Sequence, residues 1–302
     1  MSVTTSSFSP SSDVPAWRAN PVSEHNTLWT IESKHYIAEV SEYGAHLVRF
    51  YCKNRQREIL FVSPKVNKSG TSPIRAGVPI CWPWFSDMPP PATYISQEKP
   101  PSHGFARSNR WRVQHQHIED QVASIEFSLP ADIIAKNLNA RVTVTVRYTL
   151  SPQRIKIDLI THNHQLPEFA FTQALHTYFA VDAIQQTQVV GLKDDYLDKT
   201  RDFNRYAADE SVTFTSEVDR VYLSKSEKTN LVEDEKLVEI HHGEHDSIVV
   251  WNPWQENCAK IADMADDSYQ HFVCVETANT QEKVTLKPGQ QSYLQQIIAI
   301  VK

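Results

Sequence analysis

Arg141–Leu150 reads RVTVTVRYTL. Val142, Val144, Val146, Tyr148 and Leu150 alternate with Arg141, Thr143, Thr145, Arg147 and Thr149. An extended chain turns successive side chains to opposite faces, so this stretch has one apolar and one polar side, as in an antiparallel strand covered on one face. After the turn signal Ser151-Pro152 the pattern resumes at Ile155, Ile157 and Leu159. Working outward, strand patterns fall at Leu28–Ile31, Tyr36–Val40, Ala45–Tyr51, Ile59–Val62, Val122–Ser128, Phe169–Ala174 and Val212–Phe214. They continue at Leu237–His241, Ser247–Trp251, Tyr269–Glu276, Lys283–Leu286 and Ser292–Val301. Helical patterning is confined to Pro130–Lys136 and Gln255–Met264. Strands spread over the whole length, with no repeat and no internal linker, predict an all-β fold: one large antiparallel β-sandwich with few short helices. Residues 1–20 read as a flexible N-terminal tail, Ser/Thr-rich over its first dozen residues, and 21–302 as a single domain.

Composition narrows the chemistry. The 302 residues include only 7 glycines, at 44, 70, 77, 104, 191, 243 and 289, none closer to another than 70 is to 77. Dinucleotide fingerprints, Walker A loops and the G-x-S-x-G elbow all need glycines closer together than that. A net charge of −6 argues against nucleic acid or an anionic membrane as the main partner. No apolar run approaches the ~20 residues of a membrane span, and the N-terminus lacks the basic and apolar regions of a secretory signal. Cys52, Cys81, Cys258 and Cys274 form no C-x-x-C pair or zinc spacing, which fits free thiols in a reducing, cytoplasmic compartment. No cofactor is predicted.

Several segments carry chemistry, each with two readings. His176, in ALHTYFAV, is either a satisfied core histidine or a general acid working near neutral pH. Glu276, closing the apolar run HFVCV, is either a strand-end charge reaching solvent or a partly buried base with a raised pKa. Arg75 and Arg107 flank loops that contain glycine, and either make structural ion pairs or grip a phosphate or sugar hydroxyls. Trp82 and Trp84 in CWPWF, with Trp251 and Trp254 in WNPW, offer core packing or a wall for stacking a sugar. His241–His245 reads HHGEH and matches a zinc-hydrolase pattern that needs a helix. The flanking segments read as strands, so no metal site is predicted there. His162 and His164 lack a third ligand nearby and are not read as a metal site either.

Taken together, IRAGVPICWPWF, HGFAR, ALHTYF, VVGLKDDYLDK, EVDRVY, VVWNPW, MADDSYQHFVCVETAN and LKPGQ resemble the hexose-6-phosphate mutarotases. These are the glucose-6-phosphate 1-epimerases of the aldose 1-epimerase superfamily, and the likeness is to their bacterial branch. It runs in order from about Gly44 to Gly289. The resemblance implies a galactose-mutarotase-like sandwich with its site on a concave sheet face. It also implies a catalytic pair at His176 and Glu276, substrate-binding positions at Arg75, Arg107 and Asp219, and His103 lining the pocket. Two positions depart from some members: Ala76-Gly77 stands where they have two glycines, and Ser102 where they have a substrate-binding glutamine.

The implied reaction fits the residue types. Exchanging α and β anomers requires a proton to leave the C1 hydroxyl and another to reach the ring oxygen. One carboxylate and one imidazole suffice, exchanging roles on reclosure. Glu276 is read as the base, His176 as the acid, the two arginines as holding a 6-phosphate and Asp219 as orienting hydroxyls. The partner expected is a small sugar phosphate acted on by a monomer. Two alternatives stay open: a mutarotase for unphosphorylated aldoses, and a non-catalytic carbohydrate-binding protein on the same fold.

Overall fold

A computed structural model describes residues 15–96, 98–164 and 166–302; most of the N-terminal tail lies outside them. All of RVTVTVRYTL but its first residue falls within the strand Val142–Ser151, every apolar position buried and the polar ones turned out. It pairs with Arg154–Asn163 through the turn at Pro152 and sits inside a nine-stranded antiparallel sheet. That sheet faces an eight-stranded one, and a five-stranded sheet completes the β framework. Leu159, Ile240, Leu294 and Ile298 from the nine-stranded sheet bury against Leu175, Phe179, Ile248, Val250, Val273 and Val275 from the eight-stranded one. The five-stranded sheet adds Tyr36 and Phe50 to the same core, their rings stacked 5.2 Å apart. The all-β sandwich expected from the alternation is the fold observed, with α-helices at Ala131–Asn137 and Trp254–Cys258.

Some boundaries differ from expectation. Arg18–Pro21 forms an edge strand on Thr27–Glu32, so residues 18–20, placed in the tail by sequence, belong to the sheet. Ile59–Val62 forms no strand: Leu60 and Val62 make isolated bridges to Phe179 and Ala76. Tyr269–His271 lies in a 3-10 turn, and Phe272–Leu286 is one continuous strand that absorbs Lys283–Leu286. Arg112–Glu119, an unpredicted edge strand, is almost wholly exposed and therefore shows no apolar face to read. No helix among the described residues is long and apolar enough to cross a membrane.

The eight-stranded sheet positions the site. In it Phe169–Leu175 and Tyr178–Ala180 pair in turn with Phe272–Leu286, and the register is the same on both sides of the gap. Leu175 lies across from Thr277, and Tyr178 from Cys274. Because the register does not slip, His176 is directly opposite Glu276. Parity then sends Leu175, Thr177 and Phe179 to the interior and Ala174, His176 and Tyr178 to the other face. The interior side is pinned: Thr177 Oγ1 donates to Gln296 Oε1 at 2.5 Å, and Gln296 Nε2 donates to Thr277 Oγ1 at 2.9 Å.

The HHGEH segment joins this layer. Its residues 241–243 end the strand Lys236–Gly243, and buried His242 bridges Thr229 (2.9 Å) and Thr277 (2.7 Å). The turn itself is made by Glu244, at φ 55°. The motif is strand and turn, and His242 serves the polar layer between the sheets.

Candidate active site

On the outer face of the eight-stranded sheet, alternate residues of neighbouring strands line up in rows. One row runs Tyr178–Cys274–Trp251–Asp219, and the next contains Glu276, Val249, Val221 and Leu197. Ala174, Val221, Val249, Ala278, Cys81 and Phe85 form an apolar floor beside Glu276. Tyr178, Cys274 and Phe272 pack with Phe61, Cys258 and Met264 on the other flank. The charged groups therefore rise from a dry platform.

His176 Nδ1 and Glu276 Oε1 are 3.3 Å apart, with side chains 8% and 2% exposed. Their geometry is not that of a hydrogen bond: Nδ1, and Oε2 of the carboxyl, have no hydrogen-bond partner among the described residues. Two buried polar atoms left open beside each other normally carry a penalty of ~1–3 kcal/mol each, so this pattern points to a ligand that completes them. Burial, reinforced by Arg107 and Arg75, holds the imidazole well below its ordinary pKa. Burial, reinforced by Asp219, pushes the Glu276 carboxyl well above its ordinary value, while Lys199 and Arg107 oppose it. Both shifts run the same way: in the free protein burial favours the protonated carboxyl and the neutral imidazole over the ion pair.

The His176 ring is fixed from several sides. It stacks on Tyr178, nearly parallel at 5.0 Å, and meets Trp251 edge-on at 5.8 Å. The His103 ring lies 5.3 Å away. His103 Nδ1 accepts from Ser86 N–H at 3.2 Å and lies 3.3 Å from Cys81 Sγ. An acceptor role at Nδ1 puts the ring proton on Nε2. Burial, with Arg107 next, keeps this imidazole neutral.

Both arginines are placed by glycines. Gly77, at φ 45°, packs so closely on Leu47 that an added Cβ would lie 1.8 Å from the Leu47 carbonyl oxygen. Gly104, at φ 72°, leaves a Cβ only 2.1 Å from Trp82 O. These approaches seat the two loops against the sandwich and bring Arg75 close enough to act electrostatically on Arg107. Arg75 Nε reaches Asp263 Oδ1 at 3.3 Å and also bonds the Tyr178 side chain. Arg107 Nη2 donates to the Ser102 carbonyl at 2.9 Å, and its Nε has no partner among the described residues. Ser102 is seen to contribute this backbone oxygen. Burial, then the nearness of Arg75, lowers the Arg107 pKa. Of these two neighbouring cations Arg75 is paired with a carboxylate and Arg107 with a carbonyl, which leaves positive charge suited to an anion.

Asp219 completes the constellation from the strand Val218–Tyr222, bonded to Lys199 Nζ at 2.7 Å. His176, Glu276, His103, Arg75, Arg107 and Asp219 are thus all brought to one face. Trp82 and Trp84 are core residues, whereas Trp251 belongs to the site. Lys199 and Tyr178 were not singled out by sequence reasoning, while Asp263 was visible as an acidic residue of the loop Gln255–Ser268 without a role. The period-two pattern that pairs His176 with Tyr178 could have indicated the second.

Donor atoms of His176, Cys274 and Glu276 lie within 4.8 Å of one another, a possible metal-ligand set in composition. Burial drives the Cys274 thiol well above its ordinary pKa, and Arg75, Arg107 and Lys199 act on the same groups. Three nearby cations oppose a dication there. The arrangement suits proton exchange with the uncharged hydroxyls of a ligand that carries an anionic group elsewhere.

The aldose 1-epimerase family profile matches residues 27–299. The chain is 32% identical over 263 residues to "Putative glucose-6-phosphate 1-epimerase" of Escherichia coli (strain K12), covering 86% of this chain and 85% of that protein. It is 34% identical over 265 residues to the protein of the same name from Salmonella typhimurium, with the same coverage. The crystal structure of "a putative mutarotase (YeaD)" from Salmonella typhimurium superposes with a TM-score of 0.85 at 29% identity, over 98% of this chain and 96% of that one. Galactose 1-epimerase from Lactobacillus acidophilus NCFM shares the fold, with a TM-score of 0.73 at 12% identity over 96% and 99% of the two chains. The chain belongs to the aldose 1-epimerase family.

Proposed function

We propose that this protein interconverts the α and β anomers of hexose 6-phosphates, with glucose 6-phosphate the leading substrate. The observation that carries the acid/base part is the buried His176–Glu276 pair with its open Nδ1 and Oε2. The observation that favours a phosphorylated sugar is the Arg75–Arg107 excess of positive charge on the same face. Relatives bearing the glucose-6-phosphate 1-epimerase name agree with it.

The reaction begins from ionised Glu276 and protonated His176. This state holds the same number of protons as the uncharged pair, so reaching it moves one proton and adds none. Glu276 takes the proton of the C1 hydroxyl, and the C1–O1 bond becomes a carbonyl. The C1–O5 bond breaks, its electron pair stays on O5, and O5 takes the proton of His176. The pair is now uncharged, the distribution that burial favours. Rotation about C1–C2 presents the other carbonyl face. O5 then attacks C1 while His176 recovers its proton and Glu276 returns one to O1. Asp219 accepts from a sugar hydroxyl, and the His103 Nε2–H donates to a sugar oxygen. Arg75 and Arg107 hold the phosphate, which fixes the ring over the pair.

Anomer exchange followed by NMR on glucose 6-phosphate and on free glucose tests the reading. Faster exchange of the phosphorylated sugar supports it. Preference for free glucose removes the phosphate assignment, and no catalysed exchange of any aldose removes the enzymatic one.

A further inference from the structure

Lys199 opens the 3-10 turn Lys199–Arg201 immediately after the strand Tyr196–Asp198. Asp198 caps that turn, its Oδ1 accepting from Thr200 N at 3.0 Å and from Thr200 Oγ1 at 2.6 Å. The register pairs Asp198 with Arg220, so the next position, Lys199, falls across from Asp219. The resulting contact is short, at 2.7 Å, and sheltered, with side chains 25% and 16% exposed. Asp219 has no other hydrogen-bond partner among the described residues. Lys199 thus extends the row Tyr178–Cys274–Trp251–Asp219 by one member, at the edge of the face that holds Glu276.

We propose that Lys199 is a positioning residue of this site: it clamps the Asp219 carboxylate toward the sugar with one oxygen free and offsets its negative charge beside Glu276. The role it plays in turnover rests on the epimerase reading above. An exposed ion pair is worth little, but this one shares the dry platform with the reacting pair, where screening is weak. The groups acting on Glu276 are His176, Asp219, Lys199, Arg107 and the thiols of Cys274 and Cys81. Of the cations, Lys199 is the one bonded directly to Asp219, the anion whose charge opposes ionisation of Glu276. Removing the ammonium leaves that charge uncompensated, which favours the protonated form of every neighbour. Both steps of the His176–Glu276 titration then move to higher pH.

The test compares wild type, Lys199→Met, Lys199→Arg and the double variant Lys199→Met/Asp219→Asn. The Glu276 carboxyl is titrated by carbon-13 NMR and assigned with Glu276→Gln. In Lys199→Met its midpoint should rise by about one pH unit, and Lys199→Arg and the double variant should return it toward wild type. The anomer-exchange pH profile should move the same way at both limbs, with kcat falling about tenfold at neutral pH and KM changing less. An unmoved Glu276 midpoint in folded Lys199→Met overturns the proposal. So does a pure rise in KM for the phosphorylated sugar with unmoved limbs, which would make Lys199 a direct phosphate ligand. The titration needs no turnover, so wild type that fails to exchange any aldose would defeat the epimerase reading while leaving the electrostatic proposal to be judged.

Discussion

His176 lies flat against Tyr178, ring centroids 5.0 Å apart and planes within 7°. The two residues project from the same face of one strand ladder, so the phenol serves as a backing plate for the imidazole. Tyr178 also bonds Arg75, which ties the orientation of the acid/base group to that of a guanidinium. Tyr178→Phe keeps the plate and loses the tie, and should raise KM for glucose 6-phosphate several-fold with kcat little changed. Tyr178→Ala should lower kcat as well. Steady-state exchange kinetics of the two variants check this.

His176→Asn and Glu276→Gln should each reduce catalysed anomer exchange by ~10²–10⁴. Near-UV circular dichroism should show both folded, because neither side chain belongs to the sandwich core. Exchange that survives either substitution at the wild-type rate would leave a carbohydrate-binding role as the better reading.

Arg107→Ala removes a guanidinium whose protein partner is a carbonyl. A charge-assisted contact to phosphate is worth ~1.5–3 kcal/mol, so kcat/KM for glucose 6-phosphate should fall by roughly ten- to a hundredfold. Exchange of free glucose should change little. Comparing the two sugars in the same NMR assay isolates the phosphate term.

Burial raises the Glu276 pKa above its unfolded value, so the folded state keeps a proton that the unfolded state releases. Stability from this group is full below the ordinary carboxyl value and is lost as pH rises toward the raised one. Glu276→Gln should therefore gain thermal stability over wild type as pH increases from about 4.5 to 7, reaching ~2–4 °C. Melting temperatures across that range test the sign, and no gain at pH 7 would contradict it.

Acid should act through buried imidazoles. Burial depresses His46 to about 4 and His242 to about 3. Folded His242 stays neutral while its unfolded counterpart protonates, so its contribution is lost as pH falls from about 6.5 toward 3. Its bonds to Thr229 and Thr277 make the loss a property of the layer between the sheets. His242→Gln should flatten the decline of melting temperature on the acid side, even with lower stability at neutral pH.

Much of the architecture could be read because half-buried strands advertise themselves. Val142 to Leu150 alternates without error, and the structure buries each of its apolar members. Arg112–Glu119 escaped because an exposed edge strand has no apolar face, and Asn204–Tyr206 because three residues hold less than two periods. His176 and Glu276 were visible as polar residues inside apolar runs, a conflict that burial must resolve chemically. Lys199 was not, since a lysine after a short strand looks like any solvated charge until the register places it against Asp219.

The unbroken register on either side of His176 and Thr177 has a consequence for how this site can change. His176 meets Glu276 because both counts from the flanking pairs, Leu175 with Thr277 and Tyr178 with Cys274, agree. The alignment is a matter of odd and even. One residue inserted between Ala174 and His176, or one deleted, would turn the imidazole into the sandwich core and Thr177 out toward the sugar. Loops bearing Arg75, Arg107 and Asp263 can vary in length and still deliver a cation or an anion to the rim. Over evolutionary time, substrate preference can drift by insertions at the rim, whereas the reacting pair can tolerate only changes that conserve parity.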